Sequence, residues 1–206
     1  MAYRRTKRVE ARLAANRRRI LKAARELIAE GGFQQAHIEN VATAAGLAPG
    51  TVYRYFPSKT DLMAEVFRTV SEREVEVVEA IVDGPGTAAE RVEGLIRTFA
   101  SRALLRPRMA YAMLAEPVDP RIEEERIAFR ELYASIYRRV LEDGMRSGEF
   151  VRMEPSVAAA CFQGTQVQAL IGPLAPTPRT VEGGTDRIIN ETVQFCLRAL
   201  TQGTRD

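Results

Sequence analysis

The 206 residues are 46% hydrophobic and 28% charged, a balance typical of an ordinary soluble globular protein. The longest apolar runs, such as residues 157–162, fall far below the roughly 18 residues of a membrane span, and no apolar run follows the basic N-terminus. We therefore expect neither a membrane segment nor a secretory signal, and, with only Cys161 and Cys196, a cytoplasmic location with reduced thiols.

The net charge of +3 is unevenly distributed along the chain. Residues 1–59 contain 12 Lys and Arg against 4 Asp and Glu, a balance of +8, while the remaining 18 basic and 23 acidic residues give −5. This asymmetry predicts a head that binds a polyanion, joined to a body that does not. A solvated basic tail is the alternative interpretation.

The chain begins with a polar and basic stretch, MAYRRTKRVEAR, which has no sustained period. We predict a flexible arm over residues 1–14. Its cations are Arg4, Arg5, Lys7, Arg8 and Arg12. They belong either to a disordered solubilising tail or to an arm that contacts the minor groove or the backbone of DNA.

Three helices are predicted next. Apolar residues recur at three- and four-residue spacing from Ile20 to Ile28, which predicts an amphipathic helix from Asn16 that ends at Gly31 and Gly32. A second helix is predicted over residues 38–45. A third starts at Pro49, a favoured first helical position, and ends by residue 55 or 56 because Pro57 follows.

The second and third of these helices, with a turn over residues 46–48, form a helix-turn-helix. Val52 and Phe56 should point inward with Leu47. The opposite side should present a cluster suited to DNA, because tyrosine can bond phosphates or touch thymine methyls and arginine can reach guanine or phosphate. That side carries Thr51, Arg54 and Tyr55, with Tyr53 at the flank.

The remainder of the chain is also predicted to be helical. A capping box variant, Ser58 to Asp61, opens a fourth helix. The later candidates are Thr87–Leu105, Pro107–Ala115, Pro120–Met145, Pro155–Ile171 and Val181–Leu200. No strand pattern is found, so the predicted fold class is all-α.

The segment GGFQQAHIENVATAAGLAPGTVYRYFPSKTDLMAEVF, residues 31–67, resembles the DNA-binding head of TetR-type transcriptional repressors. The pattern AGLxxGTVYRYFPSKxDL is close to that family's central pattern, and the resemblance runs from about Ile20 to Phe67. It implies a DNA-binding domain over residues 15–60 and a larger helical domain over 61–206 for ligand binding and dimerisation. It further implies a homodimer that binds a near-palindromic operator and releases it when a small molecule enters the larger domain.

Carried over by position, the resemblance implies a set of DNA-contacting residues. They are His37, Ala48, Pro49, Gly50, Thr51, Tyr53, Arg54, Tyr55 and Lys59. Two of them depart from the family pattern, since His37 stands where Thr is frequent and Ala48 stands where Ser is frequent. His37 is either an exposed helix-start residue or a phosphate contact. Ala48 leaves the third helix without a side-chain cap, so its N–H groups are free for an operator phosphate.

Aromatic, methionine and glutamine residues beyond residue 86 are candidates for an effector pocket that is mostly apolar with few polar groups. The candidates are Phe99, Met109, Met113, Phe129, Tyr133, Tyr137, Phe162 and Gln166. Packing in an ordinary core is the alternative for each of them. No convincing charged partner is present, which favours a neutral or weakly polar hydrophobic effector.

The last two helices are predicted to form the dimer surface. The first contains Ala158, Ala159, Ala160 and Gly164, small residues that allow close helix approach. The last is apolar on more than one face and therefore needs cover on two sides, from a partner subunit or from its own chain as a wholly internal helix.

Two other classes of function compete with a DNA-binding regulator. An enzyme is disfavoured, because the chain has one histidine, no base beside its cysteines and no glycine-rich phosphate loop. A metal site is disfavoured for the same lack of ligands, and no cofactor is expected. A helical module whose basic head binds RNA or acidic proteins would show binding that tolerates sequence changes.

Overall fold

The computed structural model describes residues 7–179 and 182–202, and within these ranges the chain forms nine helices and no strand. The helices are α1 (Lys7–Gly31), α2 (Ile38–Ala45), α3 (Pro49–Tyr53), α4 (Lys59–Val82), α5 (Ala88–Leu105), α6 (Pro107–Leu114), α7 (Pro120–Ser147), α8 (Pro155–Leu174) and α9 (Gly184–Thr201). The first three form a helix-turn-helix head on a larger helical body. The predicted all-α architecture is confirmed.

The first helix begins earlier than predicted. It starts at Lys7 instead of Asn16, so the predicted flexible arm is wrong for residues 7–14. Those residues contain no Gly or Pro, and extending a helix that packing has already nucleated costs little. Arg4 and Arg5 lie outside the described residues.

The second helix has the predicted bounds, and Gly46 ends it. Gly46 has φ 63°, a left-handed conformation that glycine adopts at little cost, and its N–H contacts the carbonyls of Ala42 and Thr43. The third helix ends at Tyr53, earlier than predicted, although the N–H groups of Tyr55 and Phe56 still donate to the Val52 carbonyl at 2.9 and 3.0 Å. The turn and both flanking helices therefore form one hydrogen-bonded unit.

The body helices also begin and end close to their predicted positions. The Ser58 hydroxyl accepts a hydrogen bond from the Asp61 N–H at 3.0 Å, so the predicted cap at the start of α4 is confirmed. Helix α8 continues to Leu174 and α9 begins at Gly184, while Val181 lies outside the described residues. No helix in the described part of the chain combines the length and the apolarity needed to cross a bilayer.

The head shares its core with the body. Leu62, Met63, Val66 and Phe67 of α4 are buried in the same cluster as the apolar residues of α1, α2 and α3, together with residues of α6 and α7. A second cluster joins the end of α4 to α5, α7, α8 and α9. The division between residues 60 and 61 stays a prediction, with α4 contributing to both cores.

Glu149 supplies a pH-dependent contact in the body. Its carboxylate accepts the N–H of Ala89 at 3.1 Å, and hydrogen bonds from the Ala89 and Ala88 backbone lower the pKa of Glu149 from its ordinary value of 4.5. A lowered pKa stabilises the fold above the ordinary value, and this contribution disappears as the pH falls through the folded-state pKa.

We expect Glu149→Gln to reduce the free energy of unfolding at pH 7 by less than about 1 kcal/mol, because the carboxylate is largely solvated. The difference from the unmodified protein should stay constant down to about pH 5 and shrink as the pH falls below the ordinary value of 4.5. Urea unfolding followed by circular dichroism at several pH values measures it. A difference that does not change with pH would contradict the role given to this carboxylate.

Candidate DNA interface and effector cavity

The recognition side of the head depends on three apolar contacts behind it. Val52 is fully buried, Phe56 is 4% exposed, and Leu47 packs against the same core. The predicted inward side of the third helix is thereby confirmed. Because α3 is so short, these contacts fix its orientation more than its own hydrogen bonds do.

The residues predicted to contact DNA do not share one degree of exposure. Those that are exposed are His37, Ala48, Pro49, Gly50, Tyr53 and Arg54. Those that are half-buried are Thr51, Tyr55 and Lys59. Tyr53, at 48% exposure, and Arg54, the residue after it, form an open edge at the end of α3.

The predicted orientations of the two tyrosines need correction. Tyr55 packs against the head core, and its hydroxyl accepts a hydrogen bond from Asn16 Nδ2 at 3.3 Å. Tyr53, predicted at the flank, is the tyrosine that projects outward. The chain leaves the α-helix after Tyr53, so helical spacing extrapolated to residue 55 misjudges where that side chain lies.

The start of α3 is uncapped, as predicted. Ala48 is extended, with φ −76° and ψ 146°, and makes no side-chain hydrogen bond to the helix. A Cβ atom added to Gly50 would find no heavy atom within 4 Å, so packing within the chain does not require glycine there. His37 occupies the equivalent N-cap position of α2, where it also makes no side-chain cap.

The basic side of α1 divides into engaged and open cations. Arg17 forms an ion pair with Glu65 at 2.8 Å and lies over the Phe56 ring at 5.3 Å. Arg18 and Arg19 are exposed, and the Arg19 guanidinium lies close to the turn at Gly46. Arg17 therefore supports the head, while its two neighbours are open to a polyanion.

Glu116 ties the head to the body. This carboxylate, 8% exposed, follows α6 and accepts the backbone N–H groups of Phe33 at 3.1 Å and Gln34 at 3.2 Å. Gly32, at φ 81°, leaves room for it, since a side chain there would collide with the carboxylate. The buried Arg126 of α7 in turn donates to the Glu116 carbonyl at 2.9 Å.

Glu116→Ala is expected to lower the free energy of unfolding by about 1–3 kcal/mol, because it leaves the buried Phe33 N–H without its partner. Glu124→Ala, an exposed site on α7, serves as the control and should change stability by less than about 0.5 kcal/mol. Urea denaturation of both variants provides the comparison. Equal stabilities for the two variants would show that Glu116 does not fasten the head.

The predicted effector residues are not gathered at one place. Met109, Met113 and Phe129 belong to the core that the body shares with the head. A second group is formed by Tyr133, Tyr137 and Phe162. Phe99 belongs to a third cluster between α5 and α8. Gln166, on the same helix as Phe162, is 2% exposed.

The second group is an aromatic stack with two hydroxyl groups. Tyr137 lies 6.2 Å from Tyr133 in a stacked arrangement and 5.0 Å from Phe162 edge to face, between ring centroids. Burial raises the pKa of both tyrosines, and the Gln166 side chain near Tyr137 opposes that rise. Tyr133 donates to the Ser71 carbonyl at 3.3 Å. The hydroxyl groups of Tyr133 and Tyr137 therefore stay protonated and uncharged at physiological pH.

A small cavity of about 10 Å³ lies among α5, α8 and α9. Its lining comprises Ile96, Phe99, Ala100, Gln166, Leu170, Ile188, Ile189 and Thr192. Two of the predicted effector residues, Phe99 and Gln166, are brought together there. The sequence predicts α9 as a dimer helix and does not predict that Ile188, Ile189 and Thr192 line a cavity. The spacing of apolar residues indicates that one side of a helix is buried, but it does not indicate which helix covers that side.

The opposite sides of α8 and α9 are uncovered. Val157 and Phe195 are 60% and 62% exposed, and Ala160, Cys161 and Gly164 of α8 are exposed as well. A Cβ atom added to Gly164 would meet nothing within 4 Å of the same chain. Apolar and small residues thus form an outer face on these two helices, while α9 covers the cavity with its inner face.

Comparison with known proteins identifies the head. Residues 20–66 match the family described as bacterial regulatory proteins, tetR family. The fatty acid metabolism regulator protein of Bacillus subtilis (strain 168) is 30% identical over 132 residues, which cover 63% of this chain and 68% of that protein. The transcriptional repressor KstR of Mycolicibacterium smegmatis is 29% identical over 136 residues, covering 62% and 64%.

Solved structures share the arrangement of helices over nearly the whole chain. The regulator FadR from Bacillus subtilis, crystallised in complex with stearoyl-CoA, has a TM-score of 0.75 at 21% identity and covers 89% of this chain and 98% of its own. A TetR/AcrR-family regulator from Thermobifida fusca has a TM-score of 0.68 at 25% identity, covering 93% and 100%.

Proposed function

This chain belongs to the TetR family of bacterial regulatory proteins, and we propose that it represses transcription as a dimer that a small hydrophobic effector releases from its operator. DNA binding and transcriptional regulation follow from the family. The relatives are named as regulators or repressors, which confirms the prediction that the chain is not an enzyme. A bacterial repressor meets its operator in the cytoplasm.

The open edge of α3 is the observation that carries the proposal. Tyr53 and Arg54 project from a helix whose orientation is fixed by Val52 and Phe56, so that edge can enter a major groove without rearrangement. Arg54 would read a guanine or bind a phosphate, and Tyr53 would touch a phosphate or a thymine methyl group. Around them, His37, Thr51 and Lys59 would contact the backbone.

The dimer is proposed through the outer face of α8 and α9. A single exposed apolar side chain is common on a protein surface and needs no explanation. Val157 and Phe195, each about 60% exposed, instead lie on neighbouring helices beside small residues, and together they form an apolar patch. A second copy related by two-fold symmetry would cover both helices at once. Two heads held in this way would reach half-sites separated by about one helical turn, roughly 34 Å, or more.

Release by an effector is proposed to work through the body. A ligand among α5, α8 and α9 would favour positions of the body helices that place the two heads wrongly for successive grooves. Glu116, Arg108 and Arg126 connect α6 and α7 to the α1–α2 turn, with Arg108 donating to the Gly31 carbonyl at 3.3 Å. Movement of α6 would therefore shift the head.

The experiment that tests the proposal selects genomic fragments bound by the purified protein and then challenges the complexes with effectors. Stearoyl-CoA is the first probe, because a relative of the same fold was crystallised with it. We expect enrichment of a sequence with two-fold symmetry, binding that weakens steeply with salt, and release by a hydrophobic effector. Sequence-tolerant binding to DNA and RNA alike would instead support a general polyanion-binding module.

A further inference from the structure

The feature that the family does not explain is a buried glutamine without partners. Gln166 of α8 is 2% exposed, and neither its Oε1 nor its Nε2 atom has a hydrogen-bond partner within the described protein. Native proteins pair most buried polar groups, because an unpaired amide has lost its water without compensation. A residue kept in this state needs a physical reason.

The surroundings of Gln166 are uncharged and largely apolar, and its first polar neighbour is the Tyr137 hydroxyl. The cavity beside it is lined by Phe99 of α5, by Leu170 of α8 and by Ile188 and Ile189 of α9. The hydroxyl of Thr192, its other polar neighbour, already donates to the Ile188 carbonyl at 2.7 Å. The amide of Gln166 is thus the polar group without a hydrogen-bond partner in a largely apolar cavity. None of the described residues that line the cavity carries a charge that could pair with a charged ligand.

Resting on the proposed effector control, we infer that Gln166 is the recognition group for a neutral, largely apolar effector that both donates and accepts a hydrogen bond. An amide or a phenol has this chemistry, because the glutamine offers one acceptor oxygen and two donor hydrogens. A carboxylate or an ammonium ion would lose its hydration in the crevice without gaining an opposite charge. The site lies between α5, α8 and α9, so the effector would contact three helices of the body.

The cavity of about 10 Å³ has room for about one water molecule, so a larger guest must displace side chains. Ile188 and Ile189 are the half-buried members of its lining on α9, in the first turns after Gly184. The Gly183 N-cap of that helix makes no side-chain hydrogen bond, and near that end Arg97 donates to Asn190 at 3.0 Å on the exposed surface. Movement of these first turns away from α5 is the displacement we infer.

The test uses the full chain with isoleucine methyl groups labelled for NMR. Benzamide and phenol are the probes, toluene is their apolar counterpart and benzoate the charged one. We expect the first two to shift the methyl signals of Ile96, Ile188 and Ile189 and to leave those of Ile20 and Ile28 in the head unchanged. Benzoate should not bind.

Gln166→Met removes the amide at similar volume. It should weaken benzamide and phenol binding about 10-fold, leave toluene binding equal or tighter, and raise Tm by about 2–4 °C, because an unpaired buried group is lost. Gln168→Met, an exposed site on the same helix, is the control and should leave benzamide binding unchanged.

Three results would overturn the inference: no binding by benzamide or phenol, equal benzamide affinity in Gln166→Met and the unmodified chain, or a lowered Tm. The last would indicate a structural bond to the neighbouring Tyr137. Operator binding and its release by stearoyl-CoA are measured separately. If stearoyl-CoA does not release the protein from operator but benzamide still shifts the methyl signals, the result would count against the proposed function alone. If release is normal but benzamide binds Gln166→Met and the unmodified chain equally, the result would count against the role of Gln166 alone.

Discussion

Phe195→Glu should convert the protein into a folded monomer whose affinity for operator is at least about 100-fold lower. The side chain is 62% exposed within one chain, so a charge there costs the single subunit little. In a dimer, two such charges would be buried against the partner's apolar face without compensation. Binding would then depend on one head and one half-site, and the gain from joining two heads would be lost.

The measurement is molar mass by sedimentation equilibrium, compared with 22.9 kDa for one chain, together with operator affinity. Leu105→Glu is the matched control, because Leu105 is 79% exposed and lies at the end of α5, a helix that is not part of the proposed dimer face. We expect this control to stay dimeric and bind operator normally. A Phe195→Glu variant that remains a dimer would exclude this face.

Arg54→Ala is expected to lower operator affinity by about 10- to 100-fold while leaving the fold intact, because Arg54 is exposed and supports no core contact. Tyr55→Ala is a poorer probe, since Tyr55 packs in the head and is bonded to Asn16. Its replacement should reduce both stability and binding. Arg73→Ala, an exposed arginine on α4, provides a charge-matched control.

Salt titration separates the two roles open to Arg54. A phosphate contact predicts that Arg54→Ala weakens all DNA sequences alike and reduces the salt slope by about one. A base contact predicts a selective loss on operator with little change in slope. Affinity equal to that of Arg73→Ala on operator would show that α3 is not the reading helix.

The head could be predicted from sequence because its signals are local. The glycine at position 46, the proline at 49 and the serine at 58 mark helix ends through backbone chemistry that depends on few neighbours. The start of α1 was missed, because a charged stretch carries no period and its helical state comes from extension of the packed part. Tyr55 was misplaced by a helix that ends two residues before it.

For the effector region, the sequence indicates single candidate residues but not which of them lie together. Gln166 was recognised as a polar residue on an apolar helix, yet its unpaired state depends on how α5 and α9 pack around it. The same packing divides seven of the eight candidates among three clusters and leaves Gln166 beside the cavity, because helical spacing gives the buried side of each helix and not its neighbour. Ile188 and Ile189 show the same limit, since they line the cavity while Phe195 of the same helix points outward.

Footprinting of the protein on a fragment selected from the genome tests the central claim most directly. Two protected segments related by two-fold symmetry, with centres about one helical turn or more apart, are the result expected of a dimer that reads DNA with α3. Both should be strongly weakened in Arg54→Ala and absent in Phe195→Glu at protein concentrations that only just saturate the unmodified chain. A single asymmetric footprint that survives both substitutions would contradict recognition by α3 and assembly through α8 and α9.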